Sequence, residues 1–146
     1  MISYTPAQEA DILPIFQLNQ DLIDKYEDLA SIDYDRILDW VRKNIETQLP
    51  HFRRVLLDGK LAGYFCLCPS DDKWEADSLF VFPEFQNQGI GTQVLKDCLR
   101  ESDGKLFFYV FKENTGALRL YERLGFRIVK EARETAYIME YEKQGC

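Results

Sequence analysis

Apolar positions along this chain change period several times, and each change marks an element. Ile2–Tyr4 reads as a short opening strand. Two helix starts then compete. Thr5, with Gln8 three residues on and Pro6 at the first position, forms one capping pattern. Asp11 forms the other, with Pro14 in the first turn, where its missing N–H does no harm. The second is preferred, because the first leaves Pro14 inside a helix. Ile12, Ile15, Phe16, Ile23 and Tyr26 then fall mostly on one side, down to about Tyr26. A second helix is predicted from Asp33 to Gln48, with Ile37, Leu38, Trp40, Val41 and Ile45 as its apolar face.

After residue 51 the period becomes strand-like. Phe52–Leu57 and Lys60–Cys68 flank Asp58-Gly59, a strong hairpin signal. Pro69-Ser70-Asp71-Asp72 turns the chain into a strand over Trp74–Phe82. A glycine-containing loop comes after Pro83, then a helix from Gly89 to Ser102 that Gly104 ends. Lys105–Phe111 is almost continuously apolar, as in a central strand covered on both faces. A helix over Asn114–Leu124 stops at Gly125, and Phe126–Lys130 with Thr135–Tyr141 makes a last strand pair. The predicted order is β-α-α-β-β-β-α-β-α-β-β, a mixed α/β fold. The β-α-β passage from Trp74 to Phe111 implies a parallel pair between its two strands.

The 146 residues, 46% hydrophobic and 29% charged, suit one globular domain over residues 1–146, with no repeat, linker or low-complexity tract. A net charge of −7 without a clustered basic stretch argues against nucleic acid and against an anionic membrane surface. The same field favours a cationic small molecule or a basic peptide end. The longest apolar run, Leu61–Cys68, is far short of the roughly 20 residues that a membrane-spanning helix needs. No basic residue precedes Lys25, so no charged leader segment is read, and a cytoplasmic location is expected. Cys66 and Cys68 share one face of a strand, while the single histidine, His51, stands apart from all four cysteines. Structural thiols in a reducing compartment are therefore expected, and no metal site.

Two stretches carry candidate chemistry. Gln86-Asn87-Gln88-Gly89-Ile90-Gly91-Thr92 lies where a strand gives way to a helix. Free N–H groups and the helix dipole there favour an anion, and Gly89 and Gly91 would let a phosphate approach the backbone. The stretch is equally compatible with an ordinary glycine-rich loop. It lacks the Gly-Lys-Ser/Thr of a P-loop and the third glycine of the dinucleotide fingerprint. Asn114, Ala117 and Tyr121 occupy one helix face ahead of Gly125-Phe126. Read structurally, they are an N-cap, a close-packing residue and a half-buried aromatic.

Together, Q-x-x-G-x-G after a strand ending V-x-P, and N-x-x-A-x-x-x-Y-x-x-x-G-F some two dozen residues later, resemble the GNAT superfamily of acyl-CoA-dependent N-acetyltransferases. The likeness is specific over Glu75–Phe126, and the element order from Met1 to Tyr141 suits that fold. It implies an enzyme that moves an acetyl group from acetyl-CoA, as co-substrate, to a primary amine of a small molecule or peptide. The amine attacks directly, without a covalent enzyme intermediate. A non-catalytic acyl-CoA-binding or regulatory module on the same fold is the alternative. A homodimer is compatible with either.

Residue by residue, the resemblance implies that the backbone of Leu79, Phe80 and Val81 hydrogen-bonds the pantetheine arm where this strand splays from Lys105–Phe111. Gln86, Asn87, Gln88, Gly89, Ile90, Gly91 and Thr92 would hold the pyrophosphate. Asn114 would lie near the pantetheine, with Ala117 on the same helix face. Tyr121 would stand beside the sulfur and protonate the leaving thiolate, a suitable acid because a tyrosine pKa near 10 lies slightly above that of a thiol. Many family members have Arg or Lys where Gln88 stands, so a charge-assisted phosphate contact is missing there. Glu75 resembles the glutamate that serves some members as general base, with Asp77 on the same strand face. A solvated acidic strand end is the competing reading. Glu75 lies about 13 Å of extended strand from Leu79, so a bulge or a water relay would have to shorten the path. Tyr26, Tyr34, Trp40, Trp74 and Tyr137 are candidates for lining an acceptor pocket, or for core and rim.

Overall fold

The computed structural model describes residues 1–141. Their elements are β1 (Ile2–Pro6), α1 (Ile12–Tyr26), α2 (Tyr34–Gln48), β2 (Phe52–Leu57), β3 (Lys60–Ser70), β4 (Lys73–Val81), α3 (Ile90–Glu101), β5 (Leu106–Phe111), α4 (Thr115–Arg123), β6 (Phe126–Arg133) and β7 (Ala136–Tyr141). This is the predicted order, with short 3-10 turns added at Glu9–Asp11, Leu49–His51 and Pro83–Phe85. The strands form a mixed sheet in the order β1-β2-β3-β4-β5-β7-β6. The residues group into two compact units, one of Met1–Cys66 with Ser78–Ile90, the other of Leu67–Asp77 with the chain from Gly91 on.

In the first unit α1 begins after Asp11, as the position of Pro14 requires, yet the Asp11 side chain makes no capping bond to that helix. Its Oδ2 instead accepts from the Gln8 backbone N–H and from Arg54 Nε, and its Oδ1 accepts from the Tyr64 hydroxyl, each at 2.8 Å. Burial alone would raise this carboxyl's pKa. The three donors and the Arg54 charge outweigh it and hold the group below the usual carboxylate range. At α2, Asp33 is the cap, just ahead of the helix, its side chain accepting from the Arg36 N–H at 3.3 Å. Between β2 and β3, Asp58 (φ +51°) and Gly59 (φ +83°) both take the left-handed conformation that a two-residue hairpin turn demands. Ile15, Ile45, Phe52, Val55, Ala62 and Phe65 fill this unit's core. Trp40, expected on the apolar face of α2, is 65% exposed, whereas Val41 and Ile45 of that helix are buried.

In the second unit β4 and β5 form the expected parallel pair, with Trp74 opposite Leu106 and Glu75 opposite Phe107. β7 pairs antiparallel with both β5 and β6. Val94, Leu95 and Cys98 of α3 are buried, as are Leu106, Phe108 and Val110 of β5. The expectation that β5 is covered on both faces is corrected: its burial alternates, and Tyr109 is 51% exposed. Its apolar run therefore has the pattern of a half-covered strand.

The expectation of free thiols on β3 is also corrected. Cys66 and Cys68 are both buried and disulfide-bonded, which agrees with the C-x-C spacing that places both side chains on one strand face. Cys98 is buried and forms no disulfide, as predicted for a structural thiol.

Candidate active site

β4 contributes residues at both of its ends. In the first unit, Ser78–Val81 form its C-terminal half. Ser78 has φ +53°, left-handed backbone in the middle of a strand, which breaks the two-residue alternation between the residues before and after it. Gly63 of β3 makes room for the next stretch of β4, since a Cβ there would stand 1.9 Å from the Phe80 carbonyl oxygen. The backbone of Leu79–Val81 thus runs where only glycine can face it.

Beyond the Pro83–Phe85 turn, the Gln86 side chain folds back, Nε2 donating to the Val81 carbonyl at 2.9 Å. Gln86, expected among the coenzyme residues, thereby has the additional task of tying the loop to the strand. Asn87 (φ +64°) and Gly89 (φ +77°) are both left-handed, and nothing lies within 4 Å of where a Gly89 Cβ would sit. Left-handed residues at such spacing are the material of backbone anion-binding nests. Gln88, between them, is exposed, and Ile90 is buried where α3 starts. Gly91 and Thr92 are the next residues of α3 and belong to the second unit.

In the second unit, Asn114 caps α4, Oδ1 accepting from the Ala117 N–H at 3.3 Å. The structural half of the sequence reading therefore holds for Asn114. The Tyr121 ring stands edge-on to Phe108 of β5, 4.4 Å between centroids, and 6.4 Å from Phe126, which itself lies 4.6 Å from Phe108. Three packed rings fix its direction. Its hydroxyl has no hydrogen-bond partner among the described residues. Burial raises its pKa, so the group carries its proton at neutral pH.

Glu75 is half-buried and likewise has no hydrogen bond or ion pair among the described residues. Burial, and secondarily the charge of Asp77, push its carboxyl up to about 7. The pairing of Glu75 with Phe107 puts those two side chains on one face of the sheet, while Phe108, which Tyr121 touches, points to the other. Within this unit, then, a proton acceptor and a proton donor are presented on opposite faces. Among the described residues no group of three or more His, Cys, Asp or Glu is placed to hold a metal ion.

Sequence reasoning missed Ser78, Asn19 (which contacts it) and Gly63. Only Gly63 gave a local signal, because a glycine inside a strand marks close backbone approach.

Comparison with known proteins finds the same fold. Among solved structures, the PaiA N-acetyltransferase from Thermoplasma acidophilum, in complex with coenzyme A, matches with a TM-score of 0.71 at 17% identity, over 97% of this chain and 99% of that one. The ribosomal-protein-S18-alanine N-acetyltransferase from Escherichia coli gives 0.64 at 18% identity, over 100% and 99%. N-acetylglutamate synthase from Neisseria gonorrhoeae, complexed with coenzyme A and N-acetyl-glutamate, gives 0.69 at 21%, over 97% of this chain and 35% of that one. No curated protein matches the sequence. The family model of the acetyltransferase (GNAT) family matches residues 15–126, which span both stretches singled out by their spacing, and the chain belongs to that family.

Proposed function

We propose that residues 1–146 make a single N-acetyltransferase domain. It transfers the acetyl group of acetyl-CoA to a primary amine by direct attack. The observation that carries this reading is Tyr121, a ring held by Phe108 and Phe126 whose protonated hydroxyl has no partner among the described residues. A protonated hydroxyl of that kind suits a general acid better than a packing residue, because a packing role would be served equally by phenylalanine.

In the proposed reaction the amine nitrogen forms a bond to the thioester carbon as the carbon–sulfur bond breaks. Tyr121 gives its proton to the departing thiolate. Glu75, held near 7, takes through water the proton that the amine nitrogen sheds as it bonds to the carbon, from the opposite sheet face. Backbone N–H groups of Leu79–Val81 orient the pantetheine and polarise the carbonyl. The Gln86–Thr92 stretch holds the pyrophosphate by its main chain, with Asn114 and Ala117 beside the arm. The acidic balance favours a cationic amine as acceptor. Among the described residues no helix is long and apolar enough to cross a membrane.

The test is to incubate the protein with acetyl-CoA and a panel of amines and monitor free thiol. Release of coenzyme A that depends on an amine supports the enzyme. Tight coenzyme binding without turnover on any amine points to the binding module instead. Tyr121→Phe keeps the ring and removes the donor. Its kcat is expected to fall by about 10²–10⁴-fold with coenzyme affinity little changed. Full turnover in that variant, with chemistry rate-limiting, refutes the acid role.

A further inference from the structure

The left-handed residue in β4 has a partner far away in sequence. Asn19, in the middle of α1, donates from Nδ2 to the Ile15 carbonyl of its own helix at 2.9 Å, which fixes the amide's orientation. The Ser78 hydroxyl lies against both ends of that amide, accepting from Nδ2 at 3.3 Å and donating to Oδ1 at 3.4 Å. Serine avoids positive φ unless its surroundings impose it. Three side-chain features act on the short stretch from Ser78 to Val81. Asn19 holds the start at Ser78. The missing Cβ of Gly63 admits the Phe80 carbonyl. Gln86 Nε2 holds the end at the Val81 carbonyl. The Phe82 N–H also donates to the Ala62 carbonyl at 2.8 Å.

We propose that Asn19 is a positioning residue: its amide holds the left-handed turn at Ser78 and so sets the direction of the Leu79–Val81 backbone toward the coenzyme. The inference rests on the reading of Leu79–Val81 as the coenzyme strand. It goes beyond that reading by assigning a role to a residue of α1 that need not touch either substrate. Pre-orientation of this kind lowers the cost of binding, because the backbone donors need not reorganise when the ligand arrives.

The experiment is a double-mutant cycle with Asn19→Ala and Ser78→Gly. Alanine is the better helix former, so Asn19→Ala leaves α1 intact. The three-bond amide–Hα coupling of Ser78, read by NMR without coenzyme, reports its φ directly. In Asn19→Ala it is expected to move toward the value for extended backbone. The dissociation constant for coenzyme A by calorimetry, and KM for acetyl-CoA, are expected to rise about three- to tenfold, the net worth of one hydrogen bond. Meanwhile kcat should change less than about twofold. On the Ser78→Gly background the same Asn19→Ala change should cost under about twofold, since glycine adopts this φ unaided. A structural role for Asn19 elsewhere would cost the same factor on both backgrounds, and that result overturns the proposal. So does an unchanged Ser78 coupling in Asn19→Ala, whatever the protein binds. Absence of coenzyme binding by the wild-type protein would instead overturn the reading of Leu79–Val81, a result that the coupling constant cannot mimic.

Discussion

Replacing Glu75 by glutamine is expected to make the protein more stable at alkaline pH while lowering its activity. The carboxyl is half-buried, has no hydrogen bond or ion pair among the described residues, and lies near the like charge of Asp77. Its pKa rises from an ordinary 4.5 to about 7. In the unfolded chain Glu75 loses its proton near 4.5, whereas the folded protein keeps it to about 7. Between those values the folded state binds more protons, so stability falls as pH rises through the window and stays reduced above it. The rise from 4.5 to about 7, at about 1.36 kcal/mol per pH unit and reduced for the partial exposure of the group, corresponds to about 2–3 kcal/mol.

Glutamine keeps the shape and never ionises. Urea unfolding of wild type and Glu75→Gln should therefore coincide near pH 4 and separate progressively to about pH 8. There the variant's stability should exceed the wild type's by about 2–3 kcal/mol, seen as a higher midpoint with unchanged slope. Taking the difference between the two proteins at each pH removes every other titrating group. Activity should move the opposite way. In the wild type kcat/KM is expected to rise with pH through an inflection near 7, and Glu75→Gln should lose that limb together with about 10²-fold or more of rate. A variant whose stability difference does not vary with pH would refute the argument that Glu75 is held unpaired at the cost of stability.

Three further perturbations test the framework around the site. Gly63→Ala places a methyl group 1.9 Å from a backbone carbonyl, so β3 and β4 must separate locally. A loss of about 1–3 kcal/mol in denaturant unfolding is expected, with weaker coenzyme A binding by calorimetry. Asp11→Asn weakens three hydrogen bonds and leaves Arg54 without its carboxylate, for about 2–4 kcal/mol at pH 7. Because the folded pKa of Asp11 is depressed, the wild type loses this advantage as pH falls below about 3.8, and the two proteins should converge there in chemical unfolding. Gly116→Ala adds a Cβ that meets nothing within 4 Å, so α4 should gain up to about 0.5–1 kcal/mol in thermal unfolding.

The features legible in the residues alone are those that neighbouring residues decide. Asp33 caps α2 through Arg36, three positions away, and Asp58-Gly59 closes a hairpin by its own φ angles. Asn114 takes the cap that its spacing to Ala117 suggests. The period of two and the period of 3.6 need only a window of about a dozen residues. The same local view explains the misplaced Trp40, since apolar character counts toward a helix face whether or not anything covers it, and here Ile45 and Val41 already fill that side. Local context makes Asp11 a helix cap. Its actual donors include Arg54 and Tyr64, 43 and 53 residues on.

The unread part is concentrated in β4, and for a common reason. Ser78 has a conformation that its own chemistry disfavours, supported by Asn19 across 59 residues. Glu75 has a proton affinity that its sequence neighbours explain only through Asp77, the larger share coming from burial. Each is a local cost, about 1–3 kcal/mol for positive φ outside glycine and of similar size for the unpaired carboxyl. A strand built for stability alone would avoid both: an extended residue at position 78 and a paired or uncharged one at 75 would satisfy the sheet. Two such costs lie close together in one strand, adjoining the backbone of Leu79–Val81, and the coenzyme and proton-transfer roles proposed for that strand account for both.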